Sequence, residues 1–368
     1  MGRLFRVTLF GESHGPAVGA VLDGCPPGLR LDMEEIQTAM ARRAPGGNAL
    51  GTTRREADIP EILSGVYDGF TTGAPVAVLF RNGDVRDEDY RAFGGKVRPG
   101  HGDYTGHVKS LGYGDRRGGG RFSARLTAGL MFAGAVAAQY LAGIGVRLCA
   151  KADAVGTICD TPWNTLSPET ARFDGLRRER LPTLSEEAGR KMAACIEDAR
   201  VEGDSVGGAV SAVAVGAPPG LGDPFFDSVE SRLAALLFSI PAVKSVSFGA
   251  GEAFAAMRGS QANDPFYRED GQIKTRTNHA GGLNAGITNG MPILVRAVFR
   301  PTPSIGKAQE TVDLSGGAGA ELFIGGRHDP CVVPRAIPLV EAALAITLLD
   351  CALEAGALPA APEKRGGG

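Results

Sequence analysis

Two stretches of this 368-residue chain, about 123–142 and about 334–355, are apolar nearly all the way round a helical wheel. A helix without a polar face must be covered on every side, by lipid or by other layers of its own protein. The first region, "AGLMFAGAVAAQYLAGIGV" over 128–146, is long enough to span a bilayer and has Gln139 as its only strongly polar side chain. Its apolarity comes mostly from Ala and Gly, and Arg125 stands one turn upstream, which favours a helix buried inside its own protein. Two such helices need covering layers.

Those layers are legible as apolar runs between turn signals: "RLFRVTLFG", "AVGAVLDG", "GAPVAVLFR", "GGAVSAVAVGAPPG", "AVKSVSFGAG" and "GMPILVRAVFRP". Their period-two or continuous patterns predict strands. An amphipathic helix is expected over 32–43, where Asp32 and Glu35 have capping-box spacing and Pro45 follows the end. Another is expected over 185–202, with Ser185 as N-cap, Gly203 as stop, and Ala188, Met192, Cys195, Ile196 and Ala199 on one buried face. The architecture implied is helices sandwiched by sheets. Each buried helix follows a glycine-rich polar cluster, "GGGRFSAR" and "GGRHDPC", which suggests an internal duplication. Residues 1–355 show no clean domain boundary, and 356–368, ending "PAAPEKRGGG", read as a disordered tail.

A net charge of −2 argues against a surface built to neutralise nucleic-acid phosphates. Locally the balance differs: residues 94–125 hold seven Lys or Arg against Asp103 and Asp115. Such a run is usually a solvated face. Here it is interleaved with "RPGHGD" and "RRGGGRFSAR", whose glycines let backbone approach a ligand, and this suits a small phosphorylated or carboxylated anion. Arg42 and Arg43 close helix 32–43, where they could simply complement its dipole. The six cysteines form no Cys-x-x-Cys pair, so they read as core residues of a reducing, cytoplasmic compartment, with no metal site. The first residues lack a signal-peptide apolar segment.

Histidines are few, and four of the five, His14, His101, His279 and His328, lie in the glycine-rich contexts "ESHG", "PGHGD", "NHAGG" and "GRHDP". The fifth is His107. A lone loop histidine is more often a hydrogen-bonding residue than a catalyst. Several beside glycine, arginine and acid suit a general acid for an anionic leaving group.

In order along the chain, "FGESHGPAVGAVLDGCPPG", "ILSGVYDGFTTGAPVAVLFRNGD", "RPGHGDYT", "GGGRFSARLTAG", "EGDSVGG", "SIPAVKSV", "NHAGGLNAGITNG" and "GRHDPCVVPRAIPLVEA" resemble the chorismate synthase family, from residue 4 to about 355. The resemblance implies an α+β fold: a β-α-β sandwich with buried central helices between antiparallel sheets, an internal pseudo-twofold, and a homotetramer. It implies a lyase that converts 5-enolpyruvylshikimate 3-phosphate to chorismate with reduced FMN (FMNH2), without nucleic acid or membrane. It makes His14, His101, Asp329, Ser13 and Ser123 the expected catalytic residues. Flavin contacts are expected from Arg121, Phe122, Ser123, Pro241, Ala242, Ala285, Arg300, Pro301, Thr302, Pro303, Ser304 and Arg327. Arg43, His14 and Arg125 are expected to hold substrate.

Where the family usually has arginines, this chain has Ala44 and Ala49, and Phe122 replaces a serine, Leu126 a glutamate and Gly102 an alanine. Arg300 stands where lysine is common. "GIGVRL" and "GAGEAF" are only near misses of a dinucleotide-binding glycine motif. These features predict dependence on an external flavin reductase rather than on self-reduction with NADPH.

Overall fold

Strand Arg6–Gly11 turns back through 12–16 into Ala17–Asp23, and the pair is extended by Val76–Arg81 and the edge strand Glu61–Ser64. All pairings in this four-stranded sheet are antiparallel. Alternation sets its inner face: Val18, Ala20 and Leu22 point inward from one strand and Val76, Val78 and Phe80 from its neighbour. The computed structural model describes residues 1–46, 50–51, 56–83, 94–316, 319–324 and 328–357.

The second sheet is also antiparallel, in the order Val243–Phe248, Ile293–Phe299, Gly208–Val215, Arg147–Val155, Ile158–Cys159. Between the sheets lie the helices Thr127–Gly143 and Val333–Glu354, the first against the four-stranded sheet, the second against the five-stranded one, and each against the other. Gly134 marks their close approach, since a Cβ there would lie 2.2 Å from the Ala342 Cβ. Among the described residues two helical stretches, Ala124–Gly143 and Val333–Glu354, are long and apolar enough to cross a membrane, yet 72% and 94% of their most apolar windows are buried inside the protein. The expected α+β sandwich with central helices is the observed one.

The second helix carries two buried acids. Glu341 pairs with Arg42 at 3.2 Å and Arg177 at 2.9 Å, and accepts from the Ala150 amide. Asp350 accepts from the backbone amides of Arg3, Leu4 and Phe5, which ties the N-terminal segment to the last helix. Burial thus leaves each carboxylate with partners rather than bare.

The six predicted strands all form, as do helices Met33–Arg43 and Glu186–Val201. Asp32 caps the first by accepting from the amides of Glu34 and Glu35, and Ser185 caps the second. Three expectations need correction. The first buried helix begins at Thr127, because 117–126 is spent on two short 3-10 turns around three glycines. Cys159 is exposed, while Cys195 and Ala199 are only half-buried. Strand Arg147–Val155 was not foreseen, because Lys151 and Asp153 interrupt its apolar pattern. Lys151 is nonetheless fully buried, 2.9 Å from Asp160 and stacked over Trp163. Of the tail, 358–368 lie outside the described residues.

Candidate active site

The segment "RPGH" is a tight turn: the His101 amide donates to the Arg98 carbonyl, Pro99 occupies the second position and Gly100 takes φ +68° at the third. The turn sets Arg98 and His101 side by side and delivers Asp103 at the start of helix Asp103–Lys109. Asp103 accepts from Arg98 through Nε at 2.8 Å and Nη2 at 2.7 Å, and lies 2.8 Å from His101 Nδ1. Burial pushes the Asp103 carboxyl upward, but the hydrogen bonds and charges of Arg98 and His101 outweigh it and hold the group well below the usual carboxylate range.

Gly118, Gly119 and Gly120 all have positive φ. A Cβ on Gly118 would lie 2.0 Å from His14 Nδ1 and one on Gly119 3.1 Å from His101 Cε1. The glycines therefore let the two imidazoles reach the same stretch of backbone. Ser13 and His14 are both buried, with Ser13 Oγ 3.3 Å from His14 Nδ1. Ser123 Oγ accepts from the Arg125 amide and caps the short turn that follows.

Beside this ridge lies a cleft of about 360 Å³. Ile240, Pro241, Ala242, Val332 and Leu339 give it apolar surface, and Arg43, Arg98, Arg125, Arg300 and Arg335 line it, with Asp329 the one carboxylate among the described lining residues. The arginines differ in what they already hold. Arg43 and Arg125 are buried and share Asp58, with Arg125 also donating to Asn82 Oδ1 and the Arg81 carbonyl. Arg335 pairs with Asp329 at 2.6 Å and donates through Nε to the Arg43 carbonyl. Arg300 donates to the carbonyls of Gly100 and Pro301, and no carboxylate lies within ion-pair distance of it among the described residues.

The cleft brings together His101, Phe122, Ser123, Pro241, Ala242, Arg300, Thr302, Pro303, Ser304, Asp329, Arg43 and Arg125. His14 packs behind Gly118, which lines the cleft. Pro301 and Arg121 are exposed and do not line it. Ala285 is not brought here: it sits exposed at the turn between Leu283–Asn284 and Ile287–Thr288, beside the Gly222–Ser228 loop. Arg327 and Ala49 lie outside the described residues. His279 is not at the cleft either, since Asp264 binds its amide to brace a loop. Arg98 was read only as part of a basic run, and Arg335 and Asp58 went unnoticed. Only Arg98 had a local signal, the Arg-Pro-Gly-His turn.

Phe122 lies over Gly102 and Gly106, one helical turn apart. A Cβ on Gly106 would be 2.5 Å from Phe122 Cε2, and one on Gly102 3.3 Å from its Cγ. Among the described residues no group of three or more His, Cys, Asp or Glu is arranged to hold a metal ion.

A sequence profile of the chorismate synthase family matches residues 5–353. The chain is 48% identical over 349 residues to the chorismate synthase of Korarchaeum cryptofilum, covering 95% of this chain and 96% of that one. It is 43% identical over 365 residues to that of Dehalococcoides mccartyi, covering 98% of each. A crystal structure of chorismate synthase is similar over 96% of this chain and 93% of that one, with a TM-score of 0.76 at 29% identity. With the profile and the relatives agreeing over nearly its whole length, the chain belongs to the chorismate synthase family of carbon–oxygen lyases.

Proposed function

We propose that this chain converts 5-enolpyruvylshikimate 3-phosphate to chorismate by 1,4-anti elimination of phosphate and a ring proton, the last step of the shikimate pathway, and that it requires reduced FMN. The observation that carries this reading is the cleft itself: His101, the glycine ridge that His14 packs behind, Asp329 and several arginines face an apolar wall. A doubly anionic substrate needs the cations, and a planar ring system needs the wall.

The residues present fit a flavin. Pro241 and Ala242 offer a flat apolar surface, and among the described residues no carboxylate pairs with Arg300. Ala242 adopts φ +75°, a conformation costly for alanine, as strained backbone at binding sites often does. Reduced FMN, when bound, supplies electron density to the ring as phosphate departs.

His14, within hydrogen-bond range of Ser13, protonates the leaving phosphate. His101, set by the Arg98–Asp103 pair, would donate to a bound flavin at its N1 side. Asp329, paired with Arg335, would accept the proton on the N5 side of a bound flavin, and Ser123 supports the histidines. Arg43 orders substrate, while Arg125 acts mainly by holding Asp58 and the loop around Asn82. Residues 1–355 work as one unit, in the cytoplasm and as a homotetramer, with reduced flavin delivered by an external reductase.

The test is an anaerobic assay with photoreduced FMN that follows phosphate and chorismate together. Equimolar release of both is expected, and His14→Ala should lower turnover by roughly 10²–10⁴, the usual worth of a general acid. Oxidised FMN with NADPH alone should give no product. Absence of chorismate with photoreduced FMN would overturn the reaction, and equal production under both conditions would overturn the external reductase.

A further inference from the structure

His101 Nδ1 has two neighbours that make opposite demands on it. Arg98 Nη2, 3.1 Å away, can only donate, whereas an ionised Asp103 Oδ1, 2.8 Å away, can only accept. A bare Nδ1 would satisfy Arg98 and meet the carboxylate lone pair to lone pair. A protonated Nδ1 satisfies Asp103. Arg98 loses nothing by that choice, since its Nη2 already donates to the same oxygen at 2.7 Å and its Nε to the other at 2.8 Å. The carboxylate is further fixed by the Arg98 backbone amide at 3.0 Å. Three donors from one residue thus orient Asp103, and Asp103 orients the ring.

We propose that Asp103, clamped by Arg98, is a positioning residue that keeps a proton on His101 Nδ1 and so leaves Nε2 as the nitrogen that exchanges a proton with whatever occupies the cleft. Nδ1 faces the clamp, and Nε2 lies 3.4 Å from the Cβ position of Gly119 on the glycine ridge. Which ring nitrogen carries the proton is set by the hydrogen bond the other one makes. The carboxylate stays ionised, because burial is outweighed by Arg98 and His101, so it remains an acceptor throughout. Asp103 itself does not line the cleft, whereas His101 and Arg98 do. Its action on the reaction rests on the reading of His101 given above.

The first arm of the test uses the full-length protein labelled with ¹⁵N in its imidazoles, without ligand and at a pH where the rings are neutral, with His101 signals identified by His101→Gln. The expected spectrum has His101 protonated on Nδ1, and Asp103→Ala moves the proton to Nε2. A wild-type His101 protonated on Nε2 overturns the proposal whether or not any variant folds. The second arm is kinetic. Asp103→Ala and Asp103→Asn should each lower kcat by roughly 10–100-fold, the range seen for groups that orient a working imidazole. KM should move less than about threefold, because anion binding belongs to other residues. Asp103→Glu should recover part of the loss. In a His101→Ala background, removing Asp103 should cost nothing further, and an equal loss there would show that Asp103 acts otherwise than through His101. Full turnover in His101→Ala alone would instead remove His101 from the reaction, an outcome the ligand-free spectrum distinguishes from failure of the clamp.

Discussion

His14 and His101 stand against consecutive glycines, Gly118 and Gly119, although 87 positions separate the two histidines in the sequence (101 − 14). The contacts are unequal. A side chain at 118 would overlap His14 outright, at 2.0 Å from Nδ1, while one at 119 would press on His101 at 3.1 Å. Both positions also hold positive φ, +60° and +82°. Gly118→Ala should therefore displace His14 and lower turnover by about 10²-fold or more, the cost of moving a reacting group by about an ångström. Gly119→Ala should lose less. Turnover measured for both variants at matched stability checks the order, and the reverse order would remove the ridge as the device that sets His14.

Phe122 and Gly106 make a second coupled pair. Alanine suits a helix better than glycine by up to about 1 kcal/mol, so Gly106→Ala has a local gain available. Against it stands the Phe122 ring edge, 2.5 Å from the new Cβ. Phe122 is half-exposed and lines the cleft, so the ring can swing away, and the cleft wall then changes shape. Gly106→Ala should weaken FMN binding several-fold while leaving Tm within a few degrees. Adding Phe122→Ala should turn the same substitution into a stabilising one. Titration of FMN fluorescence and thermal melts of the four proteins of this cycle test the sign change.

How much of this was legible depends on how local each signal is. Strand Val76–Arg81 shows itself because Val76, Val78 and Phe80 alternate inward with no polar interruption. Strand Arg147–Val155 does not, because Lys151 is buried against Asp160 and Trp163, partners outside the strand. The same distinction holds in the site. His14 and His101 are marked by glycines next to them. Asp58 is marked by nothing local, since its partner Arg125 is 67 positions away, and Arg335 meets Asp329 from the first turn of a helix that reads as wholly apolar. Periodicity and turn chemistry are written within a few residues, whereas ion pairs across loops are fixed only by the packed fold.

Arg125 and Arg300 line one cleft and should respond oppositely to removal. Arg125 is buried with Asp58 and Glu56 around it, so Arg125→Ala takes one guanidinium from beside two buried carboxylates and leaves Asp58 to Arg43. Loss of one partner from such a group costs about 3–5 kcal/mol. Among the described residues Arg300 donates to carbonyl oxygens and to no carboxylate, so Arg300→Ala should leave the melting curve nearly unchanged. It should instead weaken the binding of substrate or FMN and flatten its salt dependence, because one cation facing the anion is lost. Urea melts and ligand titrations at two ionic strengths separate the two cases. A stable Arg125→Ala, or an Arg300→Ala that binds both ligands as the wild type does, would contradict the division of labour.

Glu341 gives the clearest dependence of stability on pH. Burial in the apolar helix pushes its carboxyl pKa up, but the charges and hydrogen bonds of Arg42 and Arg177 outweigh this and hold it below the ordinary glutamate value. A depressed pKa in the folded state means that the folded protein binds this proton less readily than the unfolded chain does. The stabilisation is therefore fully present above the unfolded value, about 4.3, and is lost as pH falls below it. Glu341→Gln removes that titration and leaves two partly buried guanidinium groups around a neutral amide. At pH 7 the variant should be less stable by about 3–5 kcal/mol. From pH 5 down to about 3 the gap should narrow, by no more than about 1.4 kcal/mol per pH unit, because the wild type gives up what the variant never had. Urea unfolding of both proteins across that range measures the gap directly, and a gap that stayed constant or widened toward low pH would show that Glu341 does not stand in this fold as an ionised partner of Arg42 and Arg177.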